Sequence, residues 1–141
     1  MKNLSIISLS ILLLFVSSCA KMDKSLEVAG QLDGSWNLTS LIEDGLEQLE
    51  PYITAQMTFS NIVEAKGDYV YTLYFNEVSA GSSTGNFEIL TEGTIITLSD
   101  DADPTASPEI TTITFTSDTN MVITATDPDD GTVTIISATK I

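Results

Sequence analysis

From Gly34 to its last residue this chain is written in a period of two. Trp36 and Leu38 alternate with Asn37 and Thr39, and Ile53, Ala55, Met57 and Phe59 alternate with Thr54, Gln56 and Thr58. Tyr69, Tyr71, Leu73 and Phe75 alternate with Val70, Thr72 and Tyr74. Successive side chains of a strand point to opposite faces, so this pattern reads as strands, and no stretch is helical for long enough to form a βαβ crossover. Eight strands are expected, over Gly34–Leu41, Ile53–Ser60, Tyr69–Glu77, Asn86–Leu90, Thr94–Leu98, Glu109–Thr116, Asn120–Thr126 and Gly131–Thr139. Glu43-Asp44-Gly45, Lys66-Gly67-Asp68, Glu92-Gly93, Ser117-Asp118-Thr119 and Asp127 to Gly131 supply turns between them. Leu46 and Leu49 suit one helical turn ended by Pro51, Ser79–Gly85 reads as a small-residue loop, and Ser99–Pro108 as the longest loop.

Short strands in sequential order with tight turns imply an all-β fold, an eight-stranded antiparallel up-and-down barrel. An immunoglobulin-like β-sandwich is the alternative. Closure favours the barrel, because it leaves no edge for threonine-rich strands to pair with a neighbouring molecule. Thr111, Thr114, Thr116, Thr124, Thr126, Thr132 and Thr134 are expected on the outer face, where a β-branch fits the pleat and a hydroxyl meets water.

Composition narrows the chemistry. Twenty acidic residues face five basic ones, all lysine, for a formal charge of −15. Such a surface repels phosphate backbones, so nucleic acid is not an expected partner. The chain has no histidine and no arginine. The usual general base, the usual zinc ligand and the bidentate anion clamp are therefore absent together. No glycine-rich phosphate loop or dinucleotide fingerprint occurs, so neither an enzyme nor a bound cofactor is expected. Acidity reads first as solubility and only second as a site for a cation. Asp100, Asp101 and Asp103, and Asp127, Asp129 and Asp130, are weak calcium candidates, because neither cluster has the spacing of a helix–loop–helix calcium loop and Asp-Pro and Asp-Gly are ordinary turn formers. No metal site is expected.

The single cysteine, Cys19, closes an apolar run that follows Met1 and Lys2. Ile6 to Val16 is apolar apart from Ser8 and Ser10, and Ser17-Ser18 place small residues before the thiol. That is the layout of a bacterial lipoprotein signal peptide over residues 1–18, with Cys19 lipidated and residues 19–30 a tether. The expected location is the cell envelope, at the outer membrane, through the acyl anchor. Acylation also consumes the only thiol, which excludes disulfides. Residues 31–141 then form one domain.

Leu32-Asp33-Gly34-Ser35-Trp36-Asn37-Leu38 resembles the first-strand signature of the lipocalins and the wider calycin group, and most of all the lipocalin-like lipoprotein domains of Bacteroidota. The resemblance covers residues 31–141 and rests on few motif positions. It implies that Gly34 turns the chain into the first strand and that Trp36 closes the base of the barrel. In that family an arginine of the last strand packs across the tryptophan; here Lys140 stands near the corresponding place.

Within such a barrel, Met57, Phe59, Tyr71, Leu73, Phe75 and Phe87 form the inward set, with Tyr69 near a rim. The opposite face of the aromatic strand, Val70, Thr72 and Tyr74, is equally compatible with alternation. Eight strands enclose an interior that side chains can fill or that can hold one small ligand, and residues this large favour filling. Two functions remain open: non-enzymatic binding of a small apolar or amphipathic molecule, or a structural or protein-interaction module with a filled core.

Overall fold

The computed structural model describes residues 24–141, except 91–92, 106 and 128–129. Cys19, the expected signal peptide (residues 1–18) and Asp129 lie outside the described residues. The described residues begin with helix α1 (Lys24–Leu32) and continue as β1 (Gly34–Glu43), the two-residue β2 (Leu46–Glu47), β3 (Ile53–Val63), β4 (Lys66–Phe75) and β5 (Val78–Ile89). β6 (Ile95–Asp100), β7 (Glu109–Ser117), β8 (Asn120–Thr126) and β9 (Val133–Lys140) complete it. Each long strand pairs antiparallel with the next, and β9 pairs with β1 from Trp36↔Lys140 to Glu43↔Thr134. That last pairing closes an eight-stranded antiparallel barrel, to which β2 adds only a short hairpin, and rules out the two-sheet sandwich.

Three connections are tight two-residue turns with both central residues left-handed: Asp44-Gly45, Glu64-Ala65 and Asn76-Glu77. This conformation matches the twist of the flanking strands. Only the first carries a glycine, which is why the other two escaped the sequence. Lys66-Gly67-Asp68, expected as a turn, lies inside β4. Ser79–Gly85, expected as a loop, is the first half of β5. Its small residues are paired across from the aromatic strand, Tyr69 with Gly85, Tyr71 with Ser83 and Leu73 with Gly81. Leu46 to Leu49 forms no helical turn. Instead Glu47 accepts hydrogen bonds from Ser40 Oγ at 2.5 Å, the Leu41 amide at 2.9 Å and the Leu49 amide at 3.0 Å, fixing that connection against β1.

Residues 24–30, read as tether, belong to α1. Ser25, Val28, Ala29 and Leu32 are its buried residues, spaced as one helical stripe, and they cover one end of the barrel. The ends of β1, β3 and β5 meet the helix there, and Trp36, Phe59, Phe87, Ile96 and Met121 fill the space beneath it. Phe59 and Phe87 pack edge to face at 5.3 Å. The opposite end is ringed by the described residues of the connections that follow β1, β4, β6 and β8.

Candidate functional site

The closed end explains the opening motif. Gly34 has φ +114°, a conformation that side chains rarely adopt. The chain can therefore leave α1 and enter β1 at once. Trp36 is fully buried, and its Nε1 donates to the Leu32 carbonyl at 2.8 Å. Lys140 Nζ stands 5.3 Å from the Trp36 ring centroid and donates to the Gln31 carbonyl at 2.8 Å. Both bonds satisfy carbonyls that the last turn of a helix leaves unpaired. Trp36 and Lys140 thus hold α1 to the barrel and play a structural part.

The other half of the interior is hollow. A cavity of about 420 Å³ opens toward the end opposite α1. Met57, Tyr69 and Tyr71, three of the expected set, line it. Phe59 and Phe87 lie instead in the packed core beneath the helix, and Leu73 is half-buried against that core. Phe75 is corrected: it is 50% exposed at the rim, where its ring meets Tyr52 edge-on at 5.4 Å. Tyr69, expected near a rim, is only 7% exposed.

The hollow follows from side-chain size. Opposite the tyrosines β5 offers Ser83 and Gly85, and β7 to β9 offer Thr111, Ala125 and Thr134. At Gly85 a Cβ would collide with the Ser99 carbonyl and lie 2.7 Å from Tyr69 Cε1, so the ring occupies room that only glycine leaves. Thr111 and Thr134, expected outside, face inward; Thr111 is 2% exposed and donates to the Ile96 carbonyl at 3.2 Å. Leu41, Leu98, Ile123 and Ile136 supply the apolar wall. A register irregularity between Leu38 and Ser40 allows Leu38 to pack in the core and Leu41, three residues on, to reach the cavity.

Two carboxylates, Asp100 and Glu109, also line the cavity, and no basic residue does. Glu109 is exposed at the mouth, yet the surrounding wall desolvates its carboxyl, and that effect and then the charge of Asp127 raise its pKa. Burial also raises the pKa of Tyr69, helped by Asp100, Glu109 and Asp101. For Tyr71 burial alone raises it. No hydrogen bond among the described residues engages the Tyr69 hydroxyl. Since no buried side-chain polar atom there lacks a partner, the hydroxyl reaches the open cavity.

Aspartates near the mouth also shape loops, Asp100 among them, accepting from the Ala102 amide at 2.7 Å. Asp101 accepts from Thr84 Oγ1 at 2.9 Å and Asn86 Nδ2 at 3.2 Å. Asp103 accepts from the Thr105 amide and hydroxyl, and Asp130 from the Thr132 amide. Among the described residues no group of three or more acidic side chains converges as a metal site. A larger concavity of about 660 Å³ lies on the outer face of β3 to β6, where Lys66 and Glu88 pair at 3.0 Å; it is a shallow trough along the wall.

No protein-family model and no curated protein sequence matches this chain. Solved structures do. A redesigned β-barrel, b11L5F_LGL, superposes with a TM-score of 0.59 at 16% identity, over 86% of this chain and 99% of that one. The redesigned barrels mFAP0 and mFAP1, both bound to DFHBI, each give a TM-score of 0.56 at 18% identity. They cover 78% and 80% of this chain and 99% and 98% of their own. The likeness is one of fold. It is that of a closed eight-stranded antiparallel barrel resembling lipocalin-like folds.

Proposed function

We propose that this protein is a non-enzymatic binding barrel that takes a small apolar or amphipathic molecule into the mouth cavity. One observation carries the reading: half of the interior is packed, while the other half is an open cavity whose volume lies in the range of ligand pockets. Its wall is apolar on several strands, with tyrosine and threonine hydroxyls to orient a guest. Two barrels of similar fold are bound to DFHBI, so small-molecule binding is compatible with a barrel of this kind.

The test is a titration with the uncharged dye N-phenylnaphthylamine. Saturable binding of one dye per chain is expected, and it should be lost in Ser83→Phe, which fills the cavity from β5. Dye uptake that never saturates, or that Ser83→Phe leaves unchanged, would remove the binding role in favour of a structural or protein-interaction barrel.

Residues 1–19 support a second part of the proposal, that lipid on Cys19 anchors the barrel at the outer membrane of a bacterial envelope. Expressed in bacteria fed a tagged fatty acid, the protein should take up label through Cys19 and lose it in Cys19→Ala. Label retained in that variant, or none in the parent, contradicts the anchor.

A further inference from the structure

We propose that the molecule held in this barrel is cationic: a protonated or quaternary amine on a compact apolar body. The amine would lie among Tyr69, Tyr71, Asp100 and Glu109, and the apolar part against Met57, Leu98 and Ile123. This rests on the cavity-binding reading above and adds the chemical class of the guest.

The wall is asymmetric in charge. Asp100 and Glu109 line the cavity without a basic partner among its lining residues. Both are exposed at the mouth, and Asp100 also accepts from the Ala102 amide at 2.7 Å; an uncharged guest that covers them takes away water and gives nothing back, and an anionic guest adds repulsion. A cation offsets the desolvation and finds two aromatic rings in the same wall, whose faces attract positive charge. Tyr69 has a second use: its hydroxyl, buried with the ring yet open to the cavity, can accept a hydrogen bond from an ammonium group.

Charge along the barrel axis points the same way. The described lysines, Lys24, Lys66 and Lys140, all stand at the helix-covered end. The described residues of the connections around the mouth include Asp44, Glu47, Glu50, Glu77, Asp101, Asp103, Asp127 and Asp130 and no lysine. A cleft rimmed by one sign of charge concentrates ions of the other sign and speeds their entry.

Calorimetric titration of the purified protein with octylammonium, octanol and octanoate near neutral pH tests this, since the three share a tail and differ in charge. Octylammonium should bind about tenfold or more tightly than octanoate, and high salt should narrow the gap. Glu109→Gln and Asp100→Asn keep shape but remove charge; together they should abolish most of that preference, while octanol, which no longer has to desolvate two carboxylates, should bind at least as tightly as before. Octanoate binding as well as octylammonium, or a preference that survives both substitutions, would overturn the cationic assignment while the cavity reading stands. If none of the three binds, octanol included, the cavity reading itself falls and takes this inference with it.

Discussion

At the scale of single residues, the two ends of the barrel pose opposite problems. At the closed end no buried side-chain polar atom among the described residues lacks a partner. Trp36 fills space between α1 and Phe115, whose ring centroid lies 5.9 Å away, and also satisfies a helix carbonyl. Trp36→Ala should therefore cost about 3–5 kcal/mol, the range for emptying a large aromatic site. Chemical denaturation checks this; a loss well under that range would mean that α1 holds without it. At the open end Tyr69 and Tyr71 are neutral groups whose burial raises their pKa above the ordinary 10.0. The folded state keeps these protons after the unfolded chain has lost its own. Stability is thus intact below pH 10.0 and falls as pH rises past it toward the folded values. Melting temperature should drop across that window, and Tyr69→Phe should flatten the drop.

At the scale of elements, what the sequence revealed and what it hid have separate physical causes. Strands with one buried face, such as β3 and β8, were legible because burial enforces alternation. The first half of β5 was hidden because Ser79 to Gly85 carries no large apolar side chain; its partner β4 supplies the bulk, and the pairing becomes visible only when the two lie side by side. Helix α1 had a signal, Ser25, Val28, Ala29 and Leu32 on one stripe, but it is short and directly follows a segment that reads as an anchor and tether. The Asn76-Glu77 turn lacked the usual glycine, and Glu77 sits at φ +66°. Relief of that left-handed strain by Glu77→Gly should stabilise the hairpin, by about 1 kcal/mol after the entropy glyine adds to the unfolded chain is set against it. Unfolding midpoints of the two proteins decide it, and a lower midpoint in the variant would show that the turn is not strained.

At the scale of the whole molecule, the barrel is divided along its axis. Large inward residues and α1 pack one half, and small inward residues leave the other open. Of the expected binding set, Met57, Tyr69 and Tyr71 reach the cavity, because alternation identifies a face but not a depth along the barrel. Depth depends on strand stagger, which also carries Glu109 and Asp100 into the wall, where a reading of Asp100 as a loop residue near a cation did not place it. The most direct measurement of this division is amide NMR of the labelled protein during titration with N-phenylnaphthylamine. Saturating shifts should centre on Tyr69, Tyr71, Ser83, Thr111 and Ile123, with Trp36 and α1 undisturbed. Shifts centred on α1, on the outer trough near Lys66 and Glu88, or on no residue at all would contradict an open, ligand-accepting mouth.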